Sequence, residues 1–353
     1  MTAIASEIID LRPDPPRSGE AIDMATRHVG AILSQAILYS ERQAAVVVYD
    51  LQCSLAAALV AAYRRCIPGA RFIDFDACAA EDIHAVFAQL APSDLVVLIQ
   101  STAFRLDAYR LRVELFKRSL KVIEHVHLAR MPGLEADYYI DSLAYDADYF
   151  RPVGYALKAR IDAAQSAVVD SGGERLLYAC ALEPAKLNIG DYSDMQNVGG
   201  QFPIGEVFTE AQDLEAVNGR IRIFVFGDIS FSVNRPAHPI TLVIDKGRVI
   251  EVIDSTPEFD LVLDSIRAVE GQIWVRELGF GLNRAFSKDR TVSDIGTYER
   301  MCGIHLSLGA KHGVYSKPII KRKDARYHVD VFAVTEAVLL DDQVVYQDGA
   351  WRV

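Results

Sequence analysis

The chain has 353 residues, of which 51% are hydrophobic and 24% charged, a composition typical of folded globular proteins rather than disordered or fibrous ones. This length suggests two domains. The formal net charge of -11 repels phosphate backbones and anionic membrane surfaces, so we expect neither a nucleic-acid nor a membrane partner. Every apolar run is far shorter than the roughly 20 residues that a membrane-spanning helix needs.

The first 20 residues contain Pro13, Pro15, Pro16 and Gly19 in a polar stretch, which predicts a flexible arm. They show no basic region followed by an apolar segment, so they do not resemble a secretory signal peptide. The five cysteines are odd in number and form no CxxC pair, which suits buried, reduced thiols better than disulfides or a structural zinc site. We therefore expect a cytoplasmic protein.

Residues 21–165 alternate between helical and strand patterns. Runs such as AVVVY and LVVLI are apolar throughout, as are strands that helices cover on both faces. This half is predicted to be an α/β domain with a mostly parallel, doubly wound sheet. The predicted helices span residues 21–38, 54–65, 80–90 and 108–119, and the predicted strands span residues 44–49, 71–75, 94–100 and 121–126.

The pattern changes near residue 165, where the glycine pair in residues 166–174 is interpreted as a join between domains. Residues 166–353 contain short alternating strands, a hairpin turn at residues 245–247 and one helix at residues 257–270. We therefore predict a second, α+β domain with a mostly antiparallel sheet. Its clearest strands span residues 175–181, 220–226, 240–244 and 248–253.

Several common catalytic motifs are absent from the sequence. It contains no HExxH, no GxxxxGK[ST] and no GxSxG. The run Gly279-Phe280-Gly281 begins like a dinucleotide-binding loop, but Arg284 occupies the position of the last glycine. We therefore do not expect a dinucleotide site there.

The strongest local signal is the pair His328 and Asp330 in the run YHVDV. Side chains two residues apart on a strand project from the same face, so the imidazole and the carboxylate are expected to meet. Both groups are ligands for Zn²⁺, Co²⁺, Mn²⁺ or Fe²⁺. The alternative is a solvated strand face with a weak ion pair.

Three more polar residues stand in apolar surroundings: Glu206 in FPIGEVFT, Glu277 in RELGFG and His305 in GIHLSLG. Burying such groups without partners is costly, and a shared metal centre would satisfy all of them. The alternatives are a hydrogen-bonded core histidine and carboxylates paired with arginines, with Arg276 the nearest candidate for Glu277.

Four runs resemble, in order and separation, the motifs of the M29 family of metallo-aminopeptidases, the aminopeptidase T group. They are residues 202–209 (FPIGEVFT), 277–283 (ELGFGLN), 303–309 (GIHLSLG) and 328–330 (HVD). The resemblance implies a hydrolase with two divalent ions (Zn, Co or Mn), a peptide substrate and a homodimer. It also implies a ligand set in which Glu277 bridges the two ions: Glu206, Glu277, His305, His328 and Asp330.

The sequence departs from this family at one catalytic position. The family has a tyrosine seven residues after the counterpart of His305, whereas this chain has His312 there and Tyr315 three residues further on. Either side chain is a candidate proton donor to a developing oxyanion. The other interpretations are that His312 is an exposed loop residue, or that peptidase activity is lost.

The same region also resembles the 2,5-dihydroxypyridine 5,6-dioxygenases, which hold one Fe(II) in a triad of two histidines and a carboxylate. In that branch a histidine replaces the counterpart of Glu277, and the counterpart of His305 is missing, so the residues here favour the two-metal arrangement. A small cyclic substrate remains an alternative. A third interpretation is a non-catalytic or biosynthetic relative that binds a peptide.

A few further residues have weaker signals. Glu299 matches an acidic residue of one M29 branch and is expected to order a metal ligand. His125 and His127 form an HxH pair that we interpret as packing or inter-domain contact. A basic cluster either steers an anionic substrate or is a solvated loop; it comprises Lys321, Arg322, Lys323 and Arg326.

Overall fold

The computed structural model describes residues 15–106, 109–321 and 323–353, so most of the predicted N-terminal arm lies outside the described residues. The first helix, α1 (Gly19–Ala31), begins where the Ser18 hydroxyl accepts a hydrogen bond from the amide of Ala21 at 3.1 Å. It continues into a π-helical turn, Ile32–Ala36. The predicted helix at residues 21–38 is therefore confirmed, with an earlier start and a last turn that is not α-helical.

The first half of the chain builds a parallel sheet between helices, as predicted. From this half of the chain the sheet takes β1 (Ala45–Tyr49), β2 (Arg71–Asp74), β3 (Leu95–Ile99) and β6 (Lys121–His125). Strands β1 and β3 are almost fully buried because their apolar side chains pack on both faces. A separate antiparallel pair is formed by β4 (Arg105–Leu106) and β5 (Tyr109–Arg110). The remaining helices are α2 (Ser54–Cys66), α3 (Ala80–Ala88), α4 (Leu111–Lys117), α5 (Leu134–Ser142) and α6 (Ala147–Ala163).

The second half forms a 14-stranded antiparallel sheet, also as predicted. The long helix α7 (Pro257–Glu270) coincides with the predicted one, and a short α8 (Ile295–Tyr298) was not predicted. In chain order the second half begins with β7 (Ala167–Ser171), β8 (Glu174–Tyr178), β9 (Lys186–Asn188), β10 (Gly199–Gln201), β11 (Glu206–Glu210), β12 (Val217–Gly227), β13 (Val233–Asn234) and β14 (Ile240–Asp245), of which β10 lies outside this sheet. The others are β15 (Arg248–Ile253), β16 (Val275–Gly281), β17 (Gly303–Leu308), β18 (Val329–Ala333), β19 (Ala337–Leu340), β20 (Gln343–Gln347) and β21 (Ala350–Trp351).

The two sheets are linked by β10, which belongs to the second half of the chain but pairs in parallel with β6. The parallel sheet therefore has the order β2-β1-β3-β6-β10. Because β10 ends five residues before Glu206, the first sheet fixes the chain that leads into the candidate site. Tyr139 on α5 reinforces this link, since its hydroxyl donates to the carbonyl of Phe202 at 3.0 Å.

The change from parallel to antiparallel sheet falls between α6 and β7, near the predicted position 165. The glycine pair lies beyond this change, within the second half. Gly172 and Gly173 both have positive φ and form the turn of the β7–β8 hairpin. The division of the chain into domains at residues 20 and 165 stays a prediction.

The five cysteines are free, as expected, but the prediction that they are buried is wrong, since four are half-buried and Cys78 is exposed. Among the described helices, none has the length and apolar character that crossing a membrane requires.

Three neighbouring strands at the centre of the antiparallel sheet are buried at every residue: β16, β17 and β18. They pair in the order β18-β17-β16, and β11 pairs with the far side of β16. Such strands are ordinarily apolar, yet each carries an ionisable residue: Glu277, His305 and Asp330 respectively. These residues define the candidate site.

Candidate metal centre

Glu206, Glu277 and His305 converge from three adjacent strands. One ligand atom from each lies within 4.8 Å of the other two. His305 Nε2 is 3.3 Å from Glu206 Oε1 and 3.5 Å from Glu277 Oε1. All three residues are buried, so water cannot solvate their charges.

A glycine makes room for this convergence. Gly279 pairs with His305 across the β16–β17 ladder. A Cβ atom at position 279 would lie 2.0 Å from Cε1 and 2.1 Å from Nε2 of His305. The Gly279-Phe280-Gly281 run is thus part of a strand, and its first glycine leaves space for the imidazole.

His328 and Asp330 meet on one side of the strand, as the alternation of side chains predicted. His328 Nε2 lies 3.1 Å from Asp330 Oδ1. The other ring nitrogen, Nδ1, lies 3.1 Å from the carbonyl of Lys311, to which it donates a hydrogen bond. This contact leaves the lone pair of Nε2 facing the carboxylate in the neutral ring. A histidine whose second nitrogen donates to a carbonyl is the usual form of a metal ligand.

The electrostatics of the site couple its acids to its histidines. Burial lowers the pKa of His305, but Glu206 and Glu277 outweigh it and raise the pKa to about 10. Burial likewise opposes the effect of Asp330 on His328, whose pKa is also raised to about 10. Burial raises the pKa of Glu277, but the close imidazoles of His305 and His312 outweigh it and hold the pKa well below its usual range. Positive charge close to these buried carboxylates therefore stabilises them.

The residues fit a divalent cation. Both ring nitrogens of His305 and Asp330 Oδ1 are buried and, within the described part of the chain, have no hydrogen-bond partner of good geometry. Buried polar atoms are normally paired. A set of carboxylate oxygens and imidazole nitrogens suits Zn²⁺, Co²⁺, Mn²⁺ or Fe²⁺.

His312 belongs to the site, and the interpretation that it is an exposed loop residue is wrong. Its side chain is only 1% exposed, and Nε2 lies 3.0 Å from Glu277 Oε2. Its Nδ1 accepts hydrogen bonds from the amides of Val314 at 3.0 Å and Tyr315 at 3.3 Å. In the neutral ring the proton must therefore be on Nε2. In their neutral forms, His312 thus presents a donor to the site, whereas His328 presents a lone pair.

Tyr315 lies beside His312 but its hydroxyl is used elsewhere. The two ring centroids are 4.9 Å apart. The hydroxyl donates to the carbonyl of Pro184 at 2.8 Å. The structure therefore brings His312 to the carboxylates and uses Tyr315 to support its ring.

A buried ionic network holds the segment that carries His312. Arg276 does not pair with Glu277, because neighbouring residues on a strand face opposite sides. Instead it binds Glu210 and the carbonyls of Ala310 and Tyr315. Lys317 binds Glu183 and also donates to the carbonyl of Gln212 at 3.1 Å.

Arg300 is a site residue that the sequence analysis missed. Its Nη1 lies 2.7 Å from both Glu206 Oε2 and Glu299 Oε2. Glu299 therefore acts on the candidate ligand Glu206 through the Arg300 guanidinium. This contact is consistent with the expectation that Glu299 orders a metal ligand. Burial and the charge of Asp330 raise the pKa of Glu299 well above its usual range, despite Arg300. The sequence signal that could have revealed Arg300 is the pair of adjacent charged residues, Glu299 and Arg300, shortly before His305.

The other sequence candidates lie away from the cluster. His125 is buried between Tyr63 and Tyr139, and His127 Nδ1 lies 3.0 Å from Asp294 Oδ1, so the HxH pair serves packing and contact between the two halves. Lys321, Lys323 and Arg326 are exposed, and Arg322 lies outside the described residues. Steering by this basic cluster stays a prediction.

Fold and site together define a two-sheet protein with a buried cluster of carboxylates and histidines on central strands. No protein-family model and no curated protein matches the sequence. Among solved structures, the fold is similar to that of wild-type AmpT from Thermus thermophilus, with a TM-score of 0.55. The match covers 94% of this chain and 99% of AmpT at 14% identity. At this identity the similarity shows the fold, and it confirms at that level the resemblance to the aminopeptidase T group.

Proposed function

We propose that the protein is a metal-dependent hydrolase of the M29 aminopeptidase type, which removes N-terminal residues from peptides or cleaves a related amide. The observation that carries this proposal is the buried convergence of Glu206, Glu277 and His305. The fold similarity to AmpT supports it. The homodimer and the cytoplasmic location rest on the sequence alone and stay predictions.

Two groups of side chains would hold the ions. Glu206 and His305 would bind one, His328 and Asp330 the other, and Glu277 would serve both. When bound, paired divalent ions lower the pKa of a water and polarise the scissile carbonyl. The chain itself supplies ligands held in place by buried strands, and the Lys311 carbonyl fixes the ring of His328.

His312 would act as the hydrogen-bond donor at the position of the family's tyrosine. Its Nε2–H points at the site because two backbone amides occupy Nδ1. Such a donor, fixed before the reaction, stabilises a developing oxyanion without reorganisation. Tyr315 would keep the ring of His312 in place.

The dioxygenase alternative has a different metal requirement. It needs one Fe(II) and a triad of two histidines and a carboxylate. Here a carboxylate, Glu277, stands between His305 and His312. This arrangement favours the hydrolase. The experiment described next distinguishes it from the dioxygenase and from the non-catalytic peptide-binding relative.

The test is metal content per chain after reconstitution with Zn²⁺, Co²⁺, Mn²⁺ or anaerobic Fe²⁺, followed by assays on aminoacyl substrates. We expect two ions per chain and amide hydrolysis. Glu277→Ala should lose both ions because the ligand is shared, whereas Glu258→Ala, on the exposed face of α7, should keep them. One Fe²⁺ per chain would favour the dioxygenase, and tight peptide binding without turnover would favour the non-catalytic relative.

A second test addresses His312. Changing it to Gln should lower kcat by about 10²–10³ while leaving the metal content unchanged, because one oxyanion donor is lost and no ligand. Loss of metal from the His312→Gln variant would instead make His312 a ligand. His312→Tyr restores the family's residue and should keep or raise turnover.

A further inference from the structure

We propose that Arg300 is a positioning residue that makes the two halves of the metal centre unequal. By this inference, the ion at Glu206 and His305 binds more weakly than the ion at His328 and Asp330. The inference rests on the proposed function, because it concerns how this chain would hold two ions. Arg300 itself would touch neither substrate nor metal.

The geometry divides the two oxygens of Glu206 between different partners. Oε2 lies 2.7 Å from Arg300 Nη1, and Oε1 lies 3.3 Å from His305 Nε2. Only Oε1 is then free to bind an ion, so Glu206 is restricted to a single donor atom. Glu299, also 2.7 Å from Nη1, holds the guanidinium from a second side and keeps it against Glu206.

The charge of Arg300 acts in the same direction. A guanidinium stays protonated in proteins, and the Arg300 side chain is only 9% exposed. A fixed positive charge in such poorly solvated surroundings repels a nearby cation much more strongly than it would in water. It also cancels part of the negative charge that Glu206 would offer.

The other half of the centre lacks this neighbour. Among the described residues, Asp330 makes its ion-pair contact with His328 and with no arginine or lysine. His328 is also 28% exposed, so a metal bound there keeps access to water. His328 and Asp330 should therefore form the tighter half.

The experiment is calorimetric titration of the metal-stripped full-length protein with Co²⁺. The wild type should bind in two steps whose dissociation constants differ by at least about tenfold. Arg300→Gln keeps a side chain that can donate to Glu206 but removes the charge, so it should tighten the weaker step by about tenfold or more. Arg300→Lys keeps the charge and should leave that step weak.

Arg290→Gln is the matched control, because Arg290 pairs with Asp141 outside the cluster. It should leave both steps unchanged. Two equal steps in the wild type, or an Arg300→Gln variant whose weaker step does not tighten, would overturn the inference while leaving the hydrolase proposal intact. Absence of metal binding in the wild type would refute the proposed function itself, and this inference with it.

A second variant keeps the test decisive if Arg300→Gln does not fold. Glu206→Gln removes a ligand of the weaker half only. It should abolish the weaker step and leave the tighter one within about twofold. Loss of the tighter step in this variant would overturn the assignment.

Discussion

The imidazole of His305 occupies the space that a side chain at position 279 would fill. The two residues face each other across the β16–β17 ladder, and a Cβ on Gly279 would lie 2.0 Å from His305 Cε1. Such an approach is far inside van der Waals contact. The position of a candidate ligand therefore depends on a residue that has no chemistry of its own.

Gly279→Ala should displace His305 and weaken metal binding. Neither strand can move away, because every residue of β16 and β17 is buried in the sheet. We expect at least a tenfold loss in affinity for the ion that His305 would bind, measured by calorimetric titration. We also expect the overpacking to cost about 1–3 kcal/mol of stability.

Gly30→Ala is the control for this substitution. Gly30 lies in α1, where an added Cβ meets nothing within 4 Å. The Gly30→Ala variant should keep the wild-type metal affinity. It should not lose stability, since alanine favours a helix. Unchanged metal binding in Gly279→Ala would show that His305 is not a ligand.

Tyr315→Phe separates the two candidate proton donors. The hydroxyl of Tyr315 donates to the carbonyl of Pro184, so its removal should leave kcat within about threefold and cost about 1 kcal/mol of stability. The measurement is kcat on an aminoacyl substrate, together with a denaturant titration. A loss in kcat of the size expected for His312→Gln would mean that Tyr315 moves into the site during turnover.

The two sheets and part of the site were predictable because their signals are local. Uniformly apolar runs predicted β1 and β3, and the two-residue spacing predicted that His328 and Asp330 meet. The convergence of Glu206, Glu277 and His305 was predicted from their apolar surroundings in the sequence and from the family resemblance. No local pattern could show that their three strands lie side by side.

Contacts between distant segments were not predictable. The strand β10 has the sequence GGQ, which has no apolar periodicity, and it exists because β6 offers an edge. The Arg300 contact with Glu206 spans 94 residues. For Arg276 the sequence suggested a contact that does not form. Its adjacency to Glu277 suggested an ion pair, but neighbouring residues on a strand face opposite sides.

Lys317→Met should loosen the segment that carries His312. Lys317 is buried and binds Glu183 and the carbonyl of Gln212. Glu183 is 27% exposed and can regain water when Lys317 is removed, so we expect a cost of about 1–3 kcal/mol, the range for an unsatisfied, partly buried group. We expect that loss in a denaturant titration, together with lower kcat and unchanged metal content.

Lys321→Met provides the comparison, because Lys321 lies in the same segment but is exposed. It should leave stability within about 0.5 kcal/mol. If Lys317→Met changes stability no more than this control does, the buried network does not hold the segment.

The last prediction concerns the pH dependence of stability through His125. This residue is fully buried, its Nδ1 lies 2.8 Å from the hydroxyl of Tyr139 and its Nε2 lies 2.9 Å from that of Tyr63. Because the Tyr139 hydroxyl donates to Phe202, His125 Nδ1 must donate to Tyr139 and Nε2 must accept from Tyr63. The neutral ring thus satisfies every partner, and burial lowers the pKa of His125 to about 3.

Below the unfolded-state pKa of about 6.5, His125 binds a proton in the unfolded chain but stays neutral in the folded protein. Stability should therefore fall as the pH drops from 6.5 towards 3, by about 2.5 kcal/mol between pH 7 and pH 4.5 from this group. His125→Gln cannot titrate, so the free energy of unfolding of this variant should fall less steeply over that range. The same change at the exposed His238 should keep the wild-type slope, and equal slopes for all three proteins would show that His125 is not buried in its neutral form.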